Sequence, residues 1–459
     1  MLVQKLWLRQ FRNIENLSFE PHPSLNFLIG KNGQGKTSIL EALGYLSLLR
    51  SFRSSRNDAL IRDEQAESEI GCELSTKDEG DAVWETELKV QLHRGIQNRV
   101  RRRAWINDRA YASSTQYLSQ KFKDSSYAHA CGMHVIVFNP SDHDLIQGEP
   151  KNRRKYLDQT LASQSKTYLL ALKRYEKILD QRNAYLKGLE GRFPRDTTLY
   201  QGLTEQLGQE AAKLTSARLN HLQKIHERHP QVMSKIAPNQ KPLHCVYQSQ
   251  WVRRDHNSSN KNRDLSTIHF TGQGSLPSIE QLLSDFLTAC ESLRFAEVQL
   301  GRTLVGPQRD DWGFWFGKPL SHQPLKAYGS QGEIRSSLLS LKLTEIQLYR
   351  EATGLRPLLL LDDFSSELDD HRRAQLLELL LETDLQVFVT STDPVMETLS
   401  AVRSDALSES LKSGFLSWDI ENGIVSKRKS NQLSKGLRLR TKETNDVILN
   451  PSSKRESLS

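Results

Sequence analysis

Hydrophobic residues are spaced in three ways along this chain, and each spacing predicts a different kind of element. Near the amino terminus apolar and polar residues alternate over Lys5–Phe11, and the continuous apolar run Leu25–Ile29 leads into a glycine-rich loop. Both patterns are typical of strands, and the second indicates a strand that is buried on both faces. Alternation returns in three segments that end at turn residues, which are Glu69–Leu74, Trp84–Leu92 and Val100–Ile106. The spacing predicts an antiparallel β-layer next to a buried sheet.

From about Arg153 the apolar residues recur every seven positions, which predicts long amphipathic helices. The first helical stretch carries two such rows, which are Leu161, Tyr168, Tyr175 and Leu172, Leu179, Leu186. After a breaker segment at 191–194, a second helix is predicted over Leu199–Ile225 from Leu203, Leu207, Leu214 and Leu222. We expect two helices of about 30 residues each, packed as an antiparallel hairpin that forms an arm. The polar stretch 253–274 has the composition of a loop inserted in that arm.

Beyond the arm, the pattern returns to one amphipathic helix and to buried strands. The helix is predicted after Ser330 from Leu338, Leu341, Ile346 and Leu348. The apolar run Pro357–Leu361 reads as a buried strand and ends in two carboxylates, Asp362 and Asp363. Strands that alternate with helices on both sides of the arm predict an α/β protein.

Charge is distributed unevenly over the 459 residues, whose formal net charge is +8. The segment 426–459 holds nine basic and three acidic residues, so it carries most of the excess positive charge. Its composition predicts a disordered tail, which is either an arm for DNA phosphates or a solvated tail without a partner. No apolar stretch approaches the roughly 18 residues that a membrane helix requires, and the amino terminus lacks a signal-peptide pattern. We therefore expect a cytoplasmic protein that has no membrane partner.

The loop after Leu25–Ile29 fits the pattern G-x-x-x-x-G-K-[ST] of a P-loop. Its glycines allow a tight turn whose backbone N–H groups point at a polyphosphate, and the helix that follows offers its positive dipole end. The residues predicted to bind ATP are Gly30, Lys31, Asn32, Gly33, Gln34, Gly35, Lys36, Thr37 and Ser38. Lys36 is expected to hold the β- and γ-phosphates, and Thr37 a Mg²⁺. An ordinary glycine-rich turn is the alternative interpretation.

The apolar strand that leads into Asp362 and Asp363 matches a Walker B motif. Asp362 is expected to bind the metal, and Asp363 to polarise the water that attacks the γ-phosphate. Together with Lys36, these two carboxylates form the predicted catalytic set. The alternative, a core strand with acidic residues at its exposed end, is less favoured once the P-loop is present. The long separation of Lys36 from Asp362 indicates a nucleotide-binding core that is divided by a large insertion.

A third motif precedes the Walker B strand and comprises Ser330, Gln331, Gly332 and Glu333. A serine, a glycine and exposed N–H groups at a helix start are typical of an ABC signature, which binds the γ-phosphate held by another subunit. The same residues also fit a simple capping box, with Ser330 as the cap and Glu333 three residues later. Ser366 and Asp369 match the D-loop that follows the Walker B motif in such proteins.

With these motifs in order, residues 1–425 resemble the RecF family of bacterial recombination mediators, which are close relatives of SMC-type ATPase heads. Blocks that carry the resemblance beyond the ATPase motifs are Arg50–Arg53, Val137–Asp142, Gly148–Pro150, Arg153–Arg154, Gln181–Asn183 and Gly306–Asp311. Two positions depart from the family pattern, since Gln308 stands where histidine is usual and His143 where leucine is usual. Where transporter ATPases place a histidine after the last core strand, this chain has the hydroxyl-rich segment Val387–Asp393, and Asp363 stands in place of a glutamate. Both differences argue for slow hydrolysis.

The resemblance implies an ABC-type ATPase head, with a mixed sheet and an antiparallel β-subdomain, that is split by a helical arm domain. The expected divisions are 1–150 for the N-terminal half of the head, 151–299 for the arm, 300–425 for the C-terminal half of the head and 426–459 for the basic disordered tail. The implied function is recombinational repair and replication restart. An ATP-dependent homodimer would bind DNA at gaps and single-strand/double-strand junctions, and would act with RecR and RecO to load RecA.

Two other functions compete with this interpretation. An ABC transporter ATPase subunit would share the motifs, but the arm between the Walker motifs argues against the compact core of that class. An SMC-like DNA structural ATPase would also share them, but the arm is far shorter than the coiled coil of a filament protein. The preferred DNA structure, the DNA-contacting residues, including any role of the Arg99–Arg103 run, and the surface that meets RecR stay open.

Overall fold

The computed structural model describes residues 1–54, 56–77, 83–95, 99–122, 132–194, 196–253, 268–270, 275–317, 323–363, 384–392 and 415–428. The strands are β1 Leu2–Phe11, β2 Ile14–Phe19, β3 Leu25–Ile29, β4 Glu67–Lys77, β5 Val83–Arg94, β6 Val100–Ile106, β7 Arg109–Tyr111, β8 Val135–Phe138, β9 Leu243–Ser249, β10 Ile268–Phe270, β11 Asp311–Phe316, β12 Leu358–Leu361, β13 Val387–Ser391, β14 Phe415–Glu421 and β15 Ile424–Lys427. The helices are α1 Lys36–Leu48, α2 Ser114–Ser119, α3 His143–Ile146, α4 Pro150–Gln164, α5 Lys166–Gly188, α6 Thr198–Ile236, α7 Ile279–Leu300, α8 Leu325–Tyr328 and α9 Gln331–Thr353.

Six antiparallel strands form an outer sheet in the order β2-β1-β4-β5-β6-β7. This sheet confirms the predicted β-layer, and it is larger than expected because β1 and β2 belong to it. β2 follows β1 through a tight turn in which Arg12 has a φ of 54°. The inner face of the sheet packs on α1, with Leu6, Ile70 and Leu88 in the same buried cluster as Ile39 and Leu43.

A second, mixed sheet has the order β15-β14-β3-β13-β12-β8, and all its pairings are parallel except that of β14 with β15. Strand β13 lies between β3 and β12, with Ser391 opposite Ile29 and Val389 opposite Leu361. The carboxyl ends of parallel strands meet at one edge of a sheet, where ligands bind in open α/β folds. The loops after β3, β12 and β13 therefore emerge side by side.

The arm differs from the predicted pair of 30-residue helices, and that expectation was wrong. The first stretch is two helices, α4 and α5, because Ser165 is extended and its side chain caps α5 by accepting the N–H of Tyr168 at 3.2 Å. The second helix, α6, is longer than expected at 39 residues and contains Pro230. A third helix, α7, also packs against α6. In the part of the chain that the structure describes, no helix is long and apolar enough to cross a membrane.

A three-stranded sheet in the order β10-β9-β11 completes this region. Strand β10 falls within the stretch 253–274 that the sequence analysis treated as an inserted loop, and it pairs with β9 through Phe270 and Tyr247. Strand β11 comes from the segment 300–425 and pairs with β9 of the arm over its full length. At the carboxyl end, β15 runs to Lys427, so the first residues of the predicted disordered tail form a strand. Residues 429–459 lie outside the described residues.

Two of the blocks that carry the family resemblance hold the arm on the head. Arg153 donates from Nε and Nη2 to the two carboxylate oxygens of Asp311 at 2.7 and 2.8 Å. Arg154 donates to the carbonyl oxygen of Asp310 at 2.8 Å. Gln308 accepts the hydroxyl of Tyr175 and donates to the carbonyl of Val305 at 2.9 Å. This glutamine is therefore a packing residue at the base of the arm.

The block Gln181–Asn183 supplies a fully buried ion pair inside the arm. Arg182 of α5 donates to the carboxylate of Glu297 in α7 at 2.6 Å, and both side chains are completely buried. Arg182 also donates to the hydroxyls of Tyr200 and Thr204 in α6 and of Thr303. One side chain thus links all three long helices of the arm.

We expect Arg182→Met to destabilise the protein by about 3–5 kcal/mol, because it leaves the carboxylate of Glu297 buried without its cation. Chemical denaturation that is followed by circular dichroism measures this loss. Lys173→Met is the matched control, since Lys173 pairs with Glu176 on α5 and both side chains are accessible to solvent, and it should cost less than about 1 kcal/mol. Equal losses for the two variants would contradict the structural role given to Arg182.

Candidate nucleotide-binding site

The loop between β3 and α1 has the backbone that a P-loop requires. Gly33 and Gly35 have φ values of +81° and +113°, in the left-handed region that favours glycine. A Cβ atom on Gly30 would lie 2.3 Å from the carbonyl oxygen of Ile420, so that position requires glycine for close packing. Helix α1 begins at Lys36 without any side-chain cap. Its first N–H groups are therefore suited to an anion, as the sequence predicts.

Lys36 points back over this loop. Its Nζ donates to the carbonyl oxygens of Gly30 at 2.5 Å and Lys31 at 3.0 Å. The residue is buried, and this burial lowers the pKa of Lys36, while the nearby charges of Asp363 and Asp362 act in the opposite direction. The ammonium group thus lies between the P-loop backbone and the two Walker B carboxylates.

Two contacts that the sequence analysis missed support the P-loop from outside. Asn13, in the turn between β1 and β2, donates to the carbonyl of Gly33 at 3.1 Å and accepts the hydroxyl of Ser38 at 3.0 Å. The turn between β14 and β15 reaches Gln34, whose carbonyl oxygen accepts the N–H of Gly423 at 2.9 Å. No local motif identifies these partners, because they come from distant parts of the chain.

The Walker B residue Asp362 follows β12 and meets the P-loop helix. Its Oδ1 accepts the hydroxyl of Thr37 at 2.8 Å and that of Thr390 at 2.9 Å. Burial raises the pKa of Asp362, although the hydrogen bonds from both threonines and the charge of Arg53 oppose the change. A bound cation would relieve the cost of this buried charge.

Thr390 has a second contact that fixes the backbone of the next residue, Asp363. Its hydroxyl oxygen accepts the backbone N–H of Asp363 at 2.8 Å while the same group donates to Asp362. Asp363 itself adopts a φ of 53°, a left-handed conformation that Asp and Asn tolerate better than most residues. The threonine at the end of β13 therefore links the carboxylate of Asp362 to the backbone of Asp363, a role that the sequence analysis did not foresee.

Two arginines bring positive charge to the same edge. Arg12 binds the buried carboxylate of Glu41 in α1 through Nε at 2.8 Å and Nη2 at 2.6 Å, and Arg53 lies 3.7 Å from the same group. Ser51 also donates to Glu41. A carboxylate in the middle of an apolar helix requires such partners, so Glu41 was the sequence signal that could have found this cluster.

The P-loop, both Walker B aspartates, Thr390, Arg12 and Arg53 line one open cavity of about 1070 Å³. This volume is large enough to hold a nucleotide. Backbone N–H groups, one lysine and the arginines of the lining suit a polyphosphate. The adjacent hydroxyl of Thr37 and carboxylate of Asp362 are the hard oxygen ligands that Mg²⁺ prefers. The residues present therefore fit both ATP and a magnesium ion.

The signature residues are placed elsewhere. Ser330 caps α9 by accepting the N–H of Glu333 at 3.3 Å, and the Glu333 carboxylate accepts the N–H of Ser330 at 2.9 Å. Ser330 and Gln331 are exposed, and neither they nor Gly332 and Glu333 belong to the described lining of the cavity. The capping box is confirmed, whereas the role in a second subunit stays a prediction. The D-loop residues Ser366 and Asp369 lie outside the described residues.

Comparison with known proteins decides the family. Residues 2–408 match the model of the RecF/RecN/SMC N-terminal domain. The chain is 33% identical over 427 residues to the DNA replication and repair protein RecF of Listeria welshimeri, and the match covers 93% of this chain and all of that protein. It is 32% identical to the RecF of Latilactobacillus sakei, over 85% of this chain and 92% of that protein. The chain belongs to the RecF family.

A solved structure of the recombination mediator protein RecF with ATP, from the RecFOR pathway, has a TM-score of 0.72 with this RecF-family chain. The two sequences are 24% identical, and the match covers 93% of this chain and 98% of the other. The similarity shows the shared fold, an ABC-type ATPase head with an inserted arm, as the sequence predicts. Membership of the RecF family favours that interpretation over a transporter ATPase subunit.

Proposed function

We propose that this RecF-family protein binds and hydrolyses ATP as a switch for DNA binding in recombinational repair and replication restart. The observation that carries the proposal is the 2.8 Å hydrogen bond between Thr37 of the P-loop helix and Asp362 of the Walker B strand. Two motifs that are distant in the sequence thereby form one site whose residues suit a nucleoside triphosphate. The relatives are named DNA replication and repair proteins, and this supports DNA as the partner.

Within this proposal each residue of the site has one task. The P-loop backbone from Gly30 to Ser38 and the Lys36 ammonium bind the phosphates. Thr37 and Asp362 would hold Mg²⁺, which neutralises phosphate charge when bound. Asp363, whose backbone is fixed by Thr390, takes a proton from the attacking water or orients it. Its shorter side chain, compared with glutamate, is consistent with the slow turnover of a switch.

The exposed signature suggests how ATP controls assembly. Ser330 and Gly332 would contact the γ-phosphate held by the P-loop of a second copy, which yields a homodimer with two ATP molecules at its interface. In this arrangement residues 1–150 and 300–425 form the head and 151–299 the arm. The dimer would bind DNA at single-strand/double-strand junctions, act in the cytoplasm with RecR and RecO, and help to load RecA. Hydrolysis of ATP would release the dimer from DNA.

We expect Asp363→Asn to lower ATP turnover by about 100-fold or more, which is the typical contribution of a general base, while ATP binding is retained. Asparagine tolerates the left-handed backbone of this position, so the site should keep its shape. The DNA-bound dimer should then persist in gel-shift and sedimentation measurements with ATP and a gapped duplex. Asp180→Asn, the same change on the exposed face of α5, should behave like the wild type. Normal turnover in Asp363→Asn would show that another residue serves as the base.

A further inference from the structure

A second cavity, of about 1050 Å³, separates the head from the base of the arm. One wall is the segment after α1 that contains Arg50, and the other is formed by helices α4 and α5. The side chains of Lys151 and Lys155 project into it from α4, one helical turn apart. We call this space the arm cleft and the three residues Arg50, Lys151 and Lys155 its cation cluster.

The acidic residues of the arm cleft are already neutralised. Asp158 pairs with Arg218 at 2.7 Å, and Glu176 pairs with Lys173 at 2.6 Å. No carboxylate in the described part of the chain forms an ion pair with any member of the cation cluster. The cation cluster therefore contributes three positive charges to the cleft that lack an ion-pair partner in the described part of the chain, which is the electrostatic pattern of an anion-binding surface.

The cations are also close enough to repel one another. The pKa of Lys155 is lowered by partial burial first, and then by the charges of Arg50 and Lys151. Helix α4 starts at Pro150, and its N-cap residue Glu149 forms no side-chain hydrogen bond to the first turn, so the N–H groups of that turn stay available to an anion beside Lys151. Three uncompensated cations on two separate elements lower the stability of the fold, and a bound polyanion would reverse that cost.

We infer that the arm cleft binds the phosphodiester backbone of DNA through Arg50, Lys151 and Lys155. The inference rests on the proposed function for its choice of polyanion, and it adds the place where the contact is made. Lysine and arginine contacts to phosphate position DNA without reading its sequence. The cleft thus provides sequence-independent affinity, which suits a protein that acts at a DNA structure.

The test is a charge-removing double variant, Lys151→Gln/Lys155→Gln, in the full chain with ATP. The matched control is Lys224→Gln/Lys235→Gln, which removes the same charge from exposed positions on α6 that do not line the cleft. Binding of a gapped duplex is measured by fluorescence anisotropy over a range of salt concentrations. For two lost phosphate contacts we expect the affinity near physiological salt to fall by roughly 30-fold and the salt slope to decrease by about 1.8, whereas the control should change the affinity less than about twofold.

The outcomes separate this inference from the proposed function. If the wild type binds DNA and the double variant binds equally well with an unchanged salt slope, the arm cleft is not the DNA surface and the inference is overturned. If the wild type itself fails to bind any DNA with ATP, the proposed function fails. Loss of tripolyphosphate binding without loss of DNA binding would assign the cleft to small anions and also overturn the inference. Unchanged ATP affinity and thermal midpoint in the double variant show that the site and the fold are intact.

Discussion

Lys36→Ala is expected to lower ATP affinity by at least about 100-fold. The Lys36 Nζ is buried beside the P-loop, where it donates to the carbonyls of Gly30 and Lys31, and the charges of Asp363 and Asp362 act on it. Loss of its two expected charge-assisted bonds to the β- and γ-phosphates removes about 1.5–3 kcal/mol each. Equilibrium titration with a fluorescent ATP analogue measures the effect.

The same loop offers a matched control. Lys31→Ala removes an identical charge from an exposed side chain and leaves the backbone carbonyl of residue 31 in place. We expect its affinity for ATP to stay within a few fold of the wild type, because an exposed charge in water contributes little. Normal ATP affinity in Lys36→Ala would refute the P-loop assignment, and equal losses in the two variants would show that only the net charge of the loop matters.

The nucleotide site was predictable where its signals are local. The strand, glycines and lysine of the P-loop are contiguous, and so are the apolar run and carboxylates of the Walker B motif. The capping box at Ser330 and Glu333 is equally short, and the structure contains it as expected. Each of these motifs encodes a backbone conformation that its own residues impose, so no knowledge of the tertiary fold is required to find them.

What the sequence could not predict depends on contacts between distant segments. Thr390 contacts both Asp362 and Asp363 because β13 lies beside β12 in the sheet. The order of strands in a sheet cannot be deduced from the local sequence. The arm was predicted wrongly for a related reason. The seven-residue apolar repeat continues through Ser165, yet this residue ends one helix and caps the next, because its hydroxyl competes with the helical backbone for hydrogen bonds.

Ser330→Arg is expected to leave ATP binding to the monomer intact and to prevent ATP-dependent dimerisation. Ser330 is exposed and lies outside the described lining of the P-loop cavity of its own chain, so a change there should not reach the nucleotide in cis. If Ser330 meets the γ-phosphate of a second copy, a long side chain blocks that close approach. Sedimentation velocity with and without ATP measures the outcome.

Loss of the helix cap is the effect that must be separated from loss of the interface. Ser330 accepts the N–H of Glu333, and removal of such a cap costs about 0.5–2 kcal/mol of stability. Ser330→Ala removes the cap without adding bulk, and Ser330→Thr keeps a capping hydroxyl. If dimerisation is lost in Ser330→Arg and largely retained in Ser330→Thr, steric exclusion at the interface is the cause. An unchanged ATP-dependent dimer in Ser330→Arg would refute the composite site.

Mixing two inactive variants gives the decisive form of this prediction. Lys36→Ala keeps its signature but lacks a working P-loop, whereas Ser330→Arg keeps its P-loop but lacks a working signature. In a composite site, one chain of each kind forms a mixed dimer with one intact site, so ATP turnover should return to at most about half of the wild-type rate per dimer. If each nucleotide is instead processed within a single chain, mixing restores nothing. The experiment therefore tests directly whether one nucleotide site is made of Lys36 from one chain and Ser330 from the other.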